Sequence, residues 1–142
     1  MITTTGEYAL RATVHLAQHY PQPQTTVLIA EATKVPIGYL SKVLQSLVRR
    51  DVVTSQRGLH GGFVLATHPA EITVFTVLDA VDAAPKRLTK CPLGLKGHIS
   101  LCPVHKLVDD AVAHAQAAFS KATLADLVKS TGGSVPLCEA AS

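Results

Sequence analysis

The feature that most constrains this chain is a change of period. In "VPIGYLSKVLQSLVRRD" apolar residues recur every three or four positions, so that Leu40, Val43, Leu44, Leu47 and Val48 share one helix face. Pro36 opens this run, where its missing N–H costs no hydrogen bond. The spacing then drops to two: "VVTSQ" and "GFVLA" are short β-rich runs joined by "RGLHGG". A hairpin tip needs positive φ angles, which glycine adopts freely. The expectation is a helix running directly into a two-stranded wing. The helix face opposite the apolar one reads Gly38, Ser41, Lys42, Gln45 and Arg49, and it carries no carboxylate.

The rest of the chain is helical in pattern. From Thr5 to Tyr20, residues Ala9, Ala12, Thr13, Leu16, Ala17 and Tyr20 keep helical spacing until "YPQPQTT" interrupts it. Thr26 is the expected cap of a short second helix through Lys34, with Leu28, Ile29 and Ala32 facing inward. After the wing, Thr73 caps a fourth helix carrying Val74, Val77, Leu78 and Val81, with Pro85 as its end. A long helix from Val104 to Phe119 aligns Val104, Leu107, Val108, Ala111, Val112, Ala115 and Phe119, a stripe suited to a partner helix from a second chain or to its own domain. "TLADLVK" adds a last capped turn or two.

Nearly half of the 142 residues are apolar and only 4% aromatic, so the core should be built from Leu, Val and Ala. The fold class expected is mainly α with a small β wing. It divides into a winged helix-turn-helix domain (1–83), a cysteine-containing loop (84–103), a dimerisation helix with a short capped helix (104–129) and a loose tail (130–142). No apolar run approaches the roughly 18 residues of a membrane span, and the N-terminus lacks the pattern of an export signal, so the expected location is cytoplasmic, with no membrane partner.

Charge is unevenly spread. Residues 1–70 carry six basic side chains (Arg11, Lys34, Lys42, Arg49, Arg50, Arg57) against three acidic ones (Glu7, Glu31, Asp51), whereas residues 71–142 balance seven against seven. A basic excess on a helix-turn-helix with a wing points to duplex DNA. Ser41, Lys42 and Gln45 would reach base edges in the major groove, and Arg49 and Arg50 phosphates. Arg57 and His60, at the wing tip, would meet the backbone or the minor groove. One copy reads too few base pairs for useful specificity, so a homodimer on a palindromic operator is expected. The chain offers no nucleophile beside a base, no phosphate-binding glycine loop and no carboxylate pair in a credible cleft, which argues against an enzyme. A winged helix that binds only protein is the remaining alternative, and salt-dependent duplex binding separates the two.

The segments "EYALRATVHLA", "IGYLSKVLQSLVRRDVV", "SQRGLHGGFVLATHPAEITVFTVLDAVD" and "LCPVHKLVDDA" together resemble the Rrf2 family of bacterial transcription regulators, over roughly residues 1–128. The resemblance implies a homodimeric winged-helix repressor or activator. Many members carry an iron–sulfur cluster that tunes DNA affinity. On the family pattern, Tyr39, Ser41, Lys42 and Gln45 match the recognition helix, and Arg57, Gly58, His60 and Gly61 match the wing.

The remaining motif is "CPLGLKGHISLCPVH". Read by itself it offers two thiolates, Cys91 and Cys102, and two imidazoles, His98 and His105, in a run bent by proline and glycine. Four donors suffice for zinc, but ten residues separate the cysteines, without the Cys-x2-Cys knuckle of structural zinc sites. A reversible disulfide, thiol sensing or a site without any cofactor are further readings. The family pattern has three cysteines in this loop; Cys91 matches the first and Cys102 the last, and the middle one is absent. His98 is the nearest donor to the gap. Glu7 matches a first-helix carboxylate that completes the iron coordination across the dimer in some relatives. Two thiolates with His98 or Glu7 favour a [2Fe–2S] centre over [4Fe–4S]. His105 is expected to cap or pack the start of the long helix, and Cys138 to be incidental.

Overall fold

The computed structural model describes residues 2–89 and 101–129. Its elements are α1 (Thr4–His19), α2 (Thr26–Thr33), α3 (Ile37–Arg49), β1 (Val53–Gln56), β2 (Gly62–Leu65), a single 3-10 turn (Pro69–Glu71), α4 (Val74–Ala80), α5 (Pro103–Lys121) and α6 (Leu124–Lys129). The tail from 130 onward, Cys138 included, lies outside the described residues.

α1 is the hub. Thr3 caps it, its Oγ1 accepting from Gly6 N–H at 3.0 Å. Ala9, Ala12, Leu16 and Ala17 then bury one face against α2, α3, α4 and α6. Small residues let these helices approach closely: a Cβ on Gly6 would stand 3.0 Å from side-chain atoms of Leu78 and Ala83. Thr13 is fully buried, and its hydroxyl donates to the Ala9 carbonyl at 2.9 Å, so the polar group in the core is satisfied. Leu40, Leu44 and Leu47 of α3, Leu78 of α4 and Leu124 of α6 fill the centre, each contributing roughly 1.5–3 kcal/mol by leaving water.

α2 corrects the sequence reading. Its cap is Thr25, whose Oγ1 accepts from Leu28 N–H at 3.2 Å, one residue earlier than expected. Starting there turns Ile29 and Thr33 inward and leaves Leu28 exposed, because two turns of helix bury only a narrow strip. The helix also stops before Lys34, which adopts φ 61 and reverses the chain into α3.

α3 follows the expected pattern, burying Leu40, Val43, Leu44 and Leu47. Asp51, at φ 59, ends it: Val52 N–H donates to Leu47 O at 3.0 Å and Asp51 N–H to Val48 O at 3.1 Å, a left-handed stop that delivers the chain into β1.

The wing is antiparallel, with register Val53↔Leu65, Thr54↔Val64, Ser55↔Phe63 and Gln56↔Gly62. Gly58 and Gly62 have positive φ, 110° and 142°, as hairpin chemistry requires. Gly62 is doubly constrained, since a Cβ there would lie 2.6 Å from the Gln24 carbonyl oxygen. That approach exists because Gln24 exchanges two backbone hydrogen bonds with Phe63, of 2.9 and 2.8 Å. The wing is thereby stitched to the segment between α1 and α2. Behind the stitch, burial pushes the His15 imidazole below its usual pKa, and its Nε2–H donates to Gln24 Oε1 at 3.1 Å.

α4 is shorter than its sequence pattern. Thr73 caps it through Thr76 N–H at 3.1 Å as expected, but it ends at Ala80 rather than at Pro85. Asp82 takes φ 54 and Ala83 N–H turns back to Leu78 O at 2.8 Å, so a left-handed residue closes the helix before proline can. α6 is held beside α4 by the bonds Val74 N–H to Ala122 O and Leu124 N–H to Ile72 O, both 2.9 Å.

The stripe on α5 divides in two. Phe119 packs against the core, and Val112 and Ala115 are half-buried, whereas Val104, Leu107, Val108 and Ala111 face outward. Leu107 is 70% exposed and Val104 67%. α5 is docked to its own domain mainly by polar groups. Gln116 Nε2 donates to Pro85 O at 2.8 Å, and the buried Asp109 accepts from Arg87 through both carboxylate oxygens at 2.7 Å and from Leu88 N–H at 2.8 Å. The Arg87 guanidinium, then the Leu88 amide, hold the Asp109 carboxyl down at about 2.

A carboxyl depressed in the folded state stabilises it fully above the unfolded pKa and loses that effect as pH falls through the folded one. Asp109 should therefore contribute to stability above about pH 4 and progressively less toward pH 2. In urea melts across this range, Asp109→Asn is expected to be less stable than the parent at pH 6, the gap narrowing toward pH 2. A gap independent of pH would show that the ion pair does not hold α5.

Candidate nucleic-acid interface

The outer face of α3 is free to meet a ligand. Gly38, Ser41, Lys42, Gln45 and Arg49 are all exposed, and among the described residues neither Lys42, Arg49 nor Arg57 has a carboxylate partner. Ser41 donates to Ile37 O at 3.1 Å within its own helix and keeps acceptor capacity outward. Arg49 leans on Ser46 Oγ at 3.4 Å. Arg50 sits at the helix end with Asp82 at 4.0 Å, an exposed pair worth little that leaves the guanidinium available.

Tyr39 differs from its neighbours. Its ring meets Tyr8 edge-on at 5.2 Å, and its hydroxyl lies 3.1 Å from Thr5 Oγ1, so this side chain ties the start of α3 to α1. At the wing tip Arg57, Gly58 and His60 are exposed and Gly61 is half-buried. Gly61 is needed for space, because a Cβ would stand 2.5 Å from Gln56 O. The sequence reading passed over Leu59, which is 95% exposed between the wing's polar residues. Only its place inside "RGLHGG" could have drawn notice.

A trough runs along each side of α3. One of about 540 Å³ lies toward the wing, lined by Gln45, Val48, Arg49, Ser55 and Phe63. The other, about 270 Å³, lies toward α1 and α4, lined by Thr5, Tyr39, Lys42, Val43, Ser46 and Val81.

The expected metal donors are only partly brought together. Cys91 and His98 lie outside the described residues. Cys102 occupies the position before α5 without capping it, and its Sγ stands 3.0 Å from His105 Nδ1. This pairing was not foreseen, although the Cys-x2-His spacing across one helical turn was there to be read. Glu7 is engaged at home: its carboxylate accepts from Arg11 Nη2 at 2.8 Å, while Arg11 Nη1 donates to Thr33 O at 3.2 Å. Among the described residues no three His, Cys, Asp or Glu side chains cluster as a metal site. No helix among them is long and apolar enough to cross a membrane.

Two helices joined by a tight left-handed turn, the second presenting a basic face beside a hairpin, define a winged helix-turn-helix DNA-binding protein. The comparisons with known proteins make this specific. Residues 2–130 match the Rrf2 family, described as an iron-dependent transcriptional regulator. IscR of Serratia proteamaculans, an HTH-type transcriptional regulator, is 31% identical over 130 residues, covering 89% of this chain and 78% of that protein. ORF2 of Azotobacter vinelandii, named as a candidate HTH-type transcriptional regulator, is 35% identical over 130 residues with the same coverage of 89% and 78%. Among solved structures, T. potens IscR superposes with a TM-score of 0.78 at 24% identity, over 94% of this chain and 89% of that one. CymR, described as the global cysteine regulator of B. subtilis, gives 0.76 at 24% identity, over 92% and 98%. The chain belongs to the Rrf2 family and is a DNA-binding transcription regulator; its relatives are regulators rather than enzymes.

Proposed function

We propose that the protein acts as a homodimer on a palindromic operator and that an iron–sulfur centre modulates its affinity. The observation that carries the DNA reading is the α3 outer face, cationic and without carboxylates, flanked by the wing. In this reading Ser41 and Gln45 read base edges, Lys42 reaches a base edge or the phosphate beside it, and Tyr39 sets the start of the helix against α1. Arg49 and Arg50 hold phosphates. Arg57, Gly58, His60 and Gly61 carry the wing against the backbone or into the minor groove. The outward stripe of Val104, Leu107, Val108 and Ala111 is where the second copy packs, giving the two half-sites that specificity requires.

The cofactor reading rests on donor chemistry. Cys102 Sγ and His105 Nδ1 stand within hydrogen-bond distance at 3.0 Å, and both are donor types that suit one side of a metal centre once that hydrogen bond is given up. Cys91 supplies the second thiolate, and His98 or Glu7 are the further donors considered. Mixed thiolate and nitrogen or oxygen ligation favours [2Fe–2S] over [4Fe–4S], with zinc or no cofactor as the other outcomes. Such a centre supplies redox-sensitive ligation. For Glu7 to reach across to a partner's loop it must first leave Arg11, so the ion pair of 2.8 Å opposes that ligation.

Protein purified anaerobically is expected to absorb in the visible and to contain iron and acid-labile sulfide, and Cys102→Ala to bleach it. Zinc without sulfide, or a colourless metal-free protein, would overturn the cluster reading while leaving the DNA reading intact.

A further inference from the structure

The trough between α3, α1 and α4 is a seat for one phosphate of the DNA backbone, we infer, with Thr5 as a contact that helix-turn-helix logic alone does not provide. This deepens the DNA reading above and rests on it.

Geometry motivates the assignment. A major groove is roughly 12 Å wide and an α-helix with its side chains about 10–12 Å, so a helix lying in the groove has a sugar–phosphate strand on each side. α3 has a trough on each flank of its basic face. The wing closes one, and the α1 side closes the other. The wing side already has an assigned role. The α1 side is smaller and its polar lining is of one kind: the Lys42 ammonium and the hydroxyls of Thr5, Tyr39 and Ser46.

No carboxylate lines it, and Glu7 on α1 is held by Arg11 at 2.8 Å. The Ser46 hydroxyl donates to Lys42 O at 3.2 Å, so the donors left for a phosphodiester, which offers acceptors only, are the Lys42 ammonium and the one proton that Thr5 and Tyr39 do not share. Val43 and Val81 give the trough an apolar floor suited to the deoxyribose beside that phosphate.

The Thr5–Tyr39 contact gives the seat its shape. One proton is shared between the two hydroxyl oxygens at 3.1 Å, and the ring of Tyr39 is braced edge-on by Tyr8, so both hydroxyls are held in place before DNA arrives. The pair keeps a second hydroxyl proton that is not used between the two oxygens. Thr5 belongs to α1, so the seat fixes how deeply α3 enters the groove. It does not choose the bases.

The test uses the full chain and a duplex selected by the wild-type protein from a random-sequence pool, alongside an unrelated duplex of equal length. Thr5→Val, which removes the hydroxyl at constant shape, is expected to weaken both duplexes by about tenfold, with the preference between them unchanged and the melting temperature unaltered. Thr5→Ser should bind as the parent. Replacing phosphates one at a time by neutral methylphosphonates should reveal a position where the wild type loses affinity and Thr5→Val loses nothing further. Unchanged affinity in Thr5→Val, a loss confined to the selected duplex, or additive losses at every methylphosphonate would each overturn the seat. Wild-type protein that binds neither duplex in a salt-dependent manner would instead overturn the DNA reading itself.

Discussion

Leu107→Glu is expected to convert the protein to a monomer and to lower its affinity for a two-half-site operator by roughly two to four orders of magnitude. Leu107 is 70% exposed in one chain and lies in the middle of the outward stripe of α5. In an isologous pairing each copy places the same residue at the same interface, so a single substitution introduces two carboxylates facing one apolar strip. An unpaired charge moved into such a surface costs several kcal/mol. Linked half-sites owe most of their affinity to the second binding event being intramolecular, and a monomer forfeits that. The fold itself is not at risk, because Leu107 contributes nothing to the core. Sedimentation together with operator binding checks both effects. A variant that remains dimeric would place the interface elsewhere, and one that becomes monomeric yet binds as the parent would remove the need for a dimer.

Gln45→Ala carries the second large expectation. Gln45 is exposed at the centre of the α3 face and borders the trough toward the wing, where its amide can offer a donor and an acceptor together to a base edge. Bidentate contacts of this kind discriminate by about 1–3 kcal/mol against the wrong base, or roughly 5- to 150-fold. The expected signature is loss of preference at one base pair of each half-site, with the salt dependence unchanged because no charge is removed. Lys42→Ala differs in kind: it should lower the log–log salt slope by about one for each protomer. Unaltered sequence preference in Gln45→Ala would mean that α3 does not enter the groove.

How far the sequence could be read depended on how local the cause was. α3 and the wing were legible, since Leu40, Val43, Leu44 and Leu47 set one period and the strands another, and Gly58 and Gly62 do adopt positive φ. The start of α2 was not, because Thr25 and Thr26 are chemically equal candidates for a cap and only the packing of Ile29 decides between them. The end of α4 was hidden for a different reason: Asp82 in a left-handed conformation carries no signal that glycine would have given. Periodicity on α5 showed an apolar stripe but could not tell the half that meets its own domain from the half left bare. Of the candidate site, the exposed basic face of α3 followed from charge and spacing. The approach of His105 to Cys102 required the helix to begin at Pro103.

The two backbone bonds between Gln24 and Phe63 have a consequence for how a signal could be felt. They clamp the hairpin to the segment entering α2, and α3 follows that helix after a short turn, so α3 and the wing are tied through one short backbone segment. In the proposed homodimer, an event at α5 that tilts one copy against the other would alter helix and wing contacts in step, as a key is turned rather than recut. Regulation of that dimer would act on the distance between half-sites, with the bases recognised within each half-site staying the same.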